Sequence, residues 1–140
     1  DFRAFLWDSA NGIQDLGTLG GRYSSGNGIN NNGQVVGSSE DANRSEHAFL
    51  WDGTSMFDLN GLISPEAGWT VIRGEAISDN GQITGIGINP NSQLHAFLLT
   101  PVTIAEIPEP GTLALIAAGC VGLGLVRHRR RRYDDGTIRR

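Results

Sequence analysis

Cysteine occurs once in 140 residues, at Cys120, so no internal disulfide can staple this chain. Lysine is absent, and all 11 basic residues are arginine. There is no phosphate loop, no Gly-x-Ser-x-Gly elbow and no His-Glu-x-x-His pair, and the carboxylates are scattered beside turns. The sequence therefore offers no catalytic residue, no metal set and no cofactor site, and the expectation is a protein that is not an enzyme. Long apolar runs are also missing. The longest, residues 113–126, has 14 residues, against the ~20 that a comfortable membrane-spanning helix takes. The chain starts at Asp1 with no methionine and no signal peptide, which reads as the C-terminal part of a longer precursor.

Charge is unevenly placed. Residues 1–105 carry four arginines against eleven carboxylates, a balance of −7, whereas residues 127–140 carry seven arginines against two carboxylates, or +5. An acidic body argues against nucleic acid as a partner, because phosphate attraction dominates that affinity. A basic end behind an apolar run points to a membrane flank.

What is abundant is glycine, 20 residues of it, among many asparagines, a turn-rich composition. The chain also repeats itself. Arg3-Ala4-Phe5-Leu6-Trp7 returns as His47-Ala48-Phe49-Leu50-Trp51 after 44 residues and as His95-Ala96-Phe97-Leu98-Leu99 after a further 48. The segment Gly28 to Gly37 returns, also 48 residues on, as Ala76 to Gly85. Periods of this size mean stacked supersecondary units. Asn32-Gly33 and Asn80-Gly81 signal hairpins, since both residue types tolerate positive φ. Phe49 and Trp51 share one face of a strand and Ala48 and Leu50 the other, so that strand should be buried on both sides, with Trp7 and Trp51 packed in the core. The expected fold is all-β: propeller-like blades of short antiparallel strands over residues 1–100, followed by one C-terminal hydrophobic helix. A β-sandwich is the competing arrangement. About two units are present, fewer than the roughly three that repeat arrays need.

The units resemble the HAF-type extracellular repeat, with its His-Ala-Phe core, its Ile-Asn-Asn-x-Gly-Gln-Val-Val-Gly hairpin and its Asp-Leu-Gly-Thr-Leu-Gly-Gly segment, here residues 15–21. The second unit, Asp58-Leu59-Asn60-Gly61-Leu62-Ile63, loses the double glycine. The resemblance implies an extracellular location and no particular reaction.

Residues 101–111 form a linker ending in Pro108-Glu109-Pro110. Residues 112–126 are expected to be a hydrophobic helix, and residues 127–140 a basic cytoplasmic tail containing Arg127, Arg129, Arg130, Arg131 and Arg132. The prolines block a helix from extending upstream, and the arginines stay on the cytoplasmic side. At 1.5 Å per residue the run reaches about 21 Å of a ~30 Å hydrocarbon core, which suits a processed address better than a lasting anchor. The tail resembles the PEP-CTERM sorting signal, which implies an exosortase-type sorting enzyme and the membrane as partners, export with the repeats on the extracytoplasmic side, and association with exopolysaccharide. Residues 133–140 run past the point where such signals stop.

Other candidates have plainer readings. His47 and His95 are matched by Arg3 in the first copy, which favours a polar strand-edge role over metal ligation. The Asn/Asp-rich hairpins lack the distal glutamate of a calcium loop. Trp69, in the irregular segment 64–69, is the candidate ligand contact. Polysaccharide binding, or an enzyme with its catalytic part upstream, are the alternative functions.

Overall fold

The structure is a computed structural model and describes residues 1–102 and the strand Leu115–Gly119. Short apolar runs bounded by Gly, Asn and Asp make strands: β1 (Phe5–Asp8), β2 (Gly12–Asp15), β3 (Gly20–Ile29), β4 (Val35–Asp41), β5 (Glu46–Trp51), β6 (Met56–Asp58), β7 (Thr70–Ile77), β8 (Ile83–Ile88), β9 (Leu94–Pro101) and β10 (Leu115–Gly119). Every pairing between neighbours is antiparallel. They form three sheets: β1-β2, then β3-β4-β5-β6, then β7-β8-β9-β10. Two 3₁₀ turns, Leu59–Gly61 and Pro65–Ala67, connect β6 to β7.

Strand periodicity divides the middle sheet between two cores. Val35, Phe49 and Trp51 pack with Ala4 and Leu16 beside the first sheet. Val36, Ala48 and Leu50 pack with Val71, Ile77, Ile83, Phe97 and Leu99 of the third. Each fully buried side chain of this kind contributes about 1.5–3 kcal/mol by leaving water. The expectation that β5 is buried on both faces holds. The all-β class holds as well, and the described residues do not close into a barrel or a ring of blades.

Four hairpins of the second and third sheets share one design. At the β3–β4 turn, Asn30 N–H donates to Gln34 O (3.1 Å) and Gly33 N–H to Asn30 O (3.1 Å). Ser78 and Gly81, Asp41 and Arg44, and Asn89 and Ser92 repeat the pattern. The fourth residue takes positive φ each time: Gly33 (75°), Arg44 (67°), Gly81 (79°) and Ser92 (61°). The first residue's side chain fixes the loop; Asn30 Oδ1 accepts from the N–H groups of Asn32 and Gln34. The two-residue Asn-Gly turn expected from the sequence is thus replaced by a longer loop, in which only the glycine takes positive φ.

Two further corrections concern the ends. Trp7 is not in the core: it is 61% exposed, whereas Trp51 is 7% exposed. The cause is local, since among the described residues β1 has β2 on one side and no strand on the other. Within the segment 112–126 expected to be helical, Leu115–Gly119 is a strand paired with β9, from Leu115 opposite Pro101 to Gly119 opposite Phe97. It supplies partners to backbone groups that an edge strand leaves open. The rest of that segment lies outside the described residues. Among the described residues no helix is long and apolar enough to cross a membrane.

Candidate functional site

The first strands of the second and third sheets, β3 and β7, run side by side because their glycines allow it. A side chain at Gly28 would meet the Ala76 backbone at 2.9 Å, and one at Gly74 would meet Val36 at 3.1 Å. Both strands carry a β-bulge at the same point of the repeat. Gly26 and Gly28 pair with Gly37 and Val36, leaving Asn27 over, and Gly74 and Ala76 pair with Gly85 and Thr84, leaving Glu75 over. Bulges re-aim side chains. Here Asn27 Nδ2 donates to the Gly74 carbonyl at 2.9 Å, and both bulge residues line an open groove of about 710 Å³.

The groove has a charged side and an aromatic end. Arg73 lies 3.4 Å from Glu46 and 4.0 Å from Glu75, with all three side chains roughly half exposed. Pairs that wet contribute at most about 1 kcal/mol. Arg44 and Glu40 complete the rim, and Glu40 also accepts from the Arg22 N–H at 3.1 Å. At the other end Phe2 stacks on Tyr23, with centroids 6.0 Å apart and planes 27° apart, and Arg22 sits 5.5 Å from the Tyr23 centroid. Beneath lie two buried serines. Ser24 Oγ accepts from Ala4 N–H and donates to the Gly17 carbonyl; Ser39 Oγ accepts from Leu19 N–H and donates to the Tyr23 carbonyl. They tie the Asp15-to-Gly21 segment to the middle sheet.

The hairpin tips make a second polar cluster. Asn31 and Asp79 join through two hydrogen bonds, and Asn30 and Asn32 donate to the carbonyls of Ser78 and Asp79. The Asn31 side-chain amide, then its backbone N–H, hold the Asp79 carboxyl below the usual aspartate range. Backbone N–H groups of Ser45 and of Ser55 and Thr54 do the same for Asp41 and Asp52. These carboxylates serve their loops, and no group of three or more metal-ligating side chains exists among the described residues.

Sequence candidates fall as follows. His47 Nδ1 lies 2.7 Å from Asp58 Oδ2, joining β5 to the end of β6, and Arg3 lies 3.1 Å from Asp15 at the matching place between β1 and β2. Trp69 is half-buried against the second core, its ring packed over Gly87, and its Nε1 is buried without a partner; it does not line the groove. Pro108, Glu109, Pro110, Arg127, Arg129, Arg130, Arg131, Arg132 and residues 133–140 lie outside the described residues. The groove itself was missed in the sequence. Its signal was there: Ser25/Arg73 and Asn27/Glu75 differ between copies while the flanking Gly26/Gly74 do not.

Neither the curated proteins nor the solved structures contain a match to this chain. The PEP-CTERM protein-sorting motif is found at residues 106–132. That span contains the expected Pro-Glu-Pro, apolar run and arginine cluster in order. The motif supports an exported protein that is anchored in the membrane before exosortase cleaves it.

Proposed function

We propose that this chain is the repeat-bearing part of a non-enzymatic surface protein that an exosortase-type enzyme releases into an exopolysaccharide matrix. The observation that carries the reading is the sorting motif at residues 106–132 behind an all-β repeat body. Residues 112–126 hold the chain in the membrane transiently, with the arginines as the cytoplasmic flank. The stacked antiparallel sheets are blades of a propeller-like array of HAF-type repeats. Three features support that reading: the 48-residue period, the consecutive-strand order within each sheet, and equivalent positions meeting across sheets. The test replaces Pro108, Glu109 and Pro110 with alanine in the producing bacterium. The variant should stay with the membrane fraction; a variant that reaches the surface as the wild type does would sink the sorting role.

A second reading is polysaccharide binding, favoured by the groove with its Phe2–Tyr23 stack and its mixed carboxylate and guanidinium rim. Aromatic faces and planar polar groups are what sugar rings and hydroxyls need. Trp69, the contact expected from the sequence, is a separate candidate outside the groove. A glycan array of wild type, Tyr23→Ala and Trp69→Ala separates them; no binding by the wild type removes both.

A further inference from the structure

The two complete sheets show what covers the phenylalanine of each repeat. Phe49 stands opposite Gly37 of β4, and Phe97 opposite Gly85 of β8. In each case the ring lies where a glycine side chain would be: a Cβ at Gly37 would come within 2.9 Å of Phe49 Cε1, and one at Gly85 within 2.6 Å of Phe97 Cζ. Both rings are buried, at 0% and 2% exposure. Phe5 is the third copy, and it is 65% exposed. Nothing pairs with the β1 edge on that side among the described residues.

Beside this edge lies a groove lined by Phe5, Leu6, Trp7, Gly26, Gly28 and Val35. The interface between the second and third sheets shows how such a groove is filled. There Val36 packs on Gly74, the equivalent of Gly26, and the β3 backbone at Gly28 approaches Ala76, the equivalent of Gly28 itself.

We infer that the β1 edge and its groove are the acceptor site for a β-hairpin of the repeat's own kind, the first two strands of a further unit. That hairpin places a glycine opposite Phe5 and a β-branched residue against Gly26. Main-chain pairing supplies affinity, and the glycine supplies register. The inference rests on reading the chain as part of a repeat array.

The test is a fusion. Ser45 is the equivalent of Asp1, so a second copy of residues 20–44 joined directly before Asp1 of the full chain restores the repeat spacing. Amide exchange at Phe5–Asp8 should slow at least tenfold, and Trp7 emission should shift to the blue. Val36→Asp in the added copy alone, which sets a carboxylate where the valine would meet Gly26 and leaves the hairpin's own pairing intact, should cancel both changes. Exchange at the parent's rate, or equal protection by the aspartate fusion, would overturn the inference. So would a parent chain that already protects β1 by dimerising, because a second copy would then be the occupant. Amides of β4 and β8 in the same spectra keep two failures apart. Fast exchange there strikes at the stacked array itself; slow exchange there with β1 still open strikes only at the docking site.

Discussion

Asn31 and Asp79 stand 48 residues apart, one full repeat, and meet: Asn31 N–H donates to Asp79 Oδ1 and Asn31 Nδ2 donates to Asp79 Oδ2, each at 2.8 Å. Equivalent hairpin tips therefore lie one upon the other, which fixes how consecutive sheets stack. The contact carries a pH signature. Because the folded carboxyl is held below its ordinary value, protonation favours the unfolded chain. The stability it contributes is present above about pH 3.9 and is lost as pH falls through that value toward the folded pKa. Asp79→Asn should therefore unfold at a lower midpoint than the wild type at pH 6, and the gap should narrow toward pH 2.5. A gap that is constant across that range would contradict the contact's role.

Asn60 copies a strand partner with its side chain. Its Nδ2 donates to Val71 O at 2.9 Å and its Oδ1 accepts from Val71 N–H at 2.8 Å. Asn60→Ala leaves both backbone groups of the buried Val71 unpaired and should cost about 2–3 kcal/mol. Asn60→Asp keeps the acceptor but sets a carboxylate against the Val71 carbonyl, so it should not rescue. Urea denaturation of the three proteins checks the order.

Phe49 and Gly37 form one packing unit. Phe49→Ala opens the first core and should cost about 3–5 kcal/mol. Gly37→Ala is damaging for a different reason: its Cβ would fall on the Ser25 carbonyl oxygen. The double variant should recover little, because backbone and not the ring is the main obstacle. Recovery to the Phe49→Ala level would point to the ring instead.

Ser92 and Gly33 hold the same hairpin position at φ 61° and 75°. A left-handed backbone costs an ordinary residue about 1–2 kcal/mol. Ser92→Asn should thus stabilise by roughly 0.5 kcal/mol, asparagine being the better tolerated there. Gly33→Ala meets nothing within 4 Å, so its loss, about 1 kcal/mol, measures backbone strain alone. Thermal melts of both variants provide the comparison.

The repeat made much of this fold legible. The matching Ala-Phe-Leu segments located β1, β5 and β9, and the apolar residues on both faces of β5 foretold a sheet covered on two sides. The hairpins at Asn32-Gly33 and Asn80-Gly81 were located but not their form, and those at Arg44 and Ser92 were not located, because neither carries a glycine to announce a left-handed turn. Trp7 was misplaced because strand pattern reports which face a residue takes, not whether a neighbour covers it. The groove was harder to foresee: it arises where two strands separated by 48 residues lie edge by edge, and its residues are those in which the copies disagree. Leu115–Gly119 was read from composition, which suits a membrane helix and an edge strand alike.

The central claim, a repeat body that exosortase cuts from its tail, is tested most directly by intact mass spectrometry of the exported protein. In a host with its exosortase, the mass should fall short of the full chain by at least residues 113–140, and a host lacking the enzyme should retain the full mass. Identical masses in the two hosts, with the arginines still attached, would contradict the account.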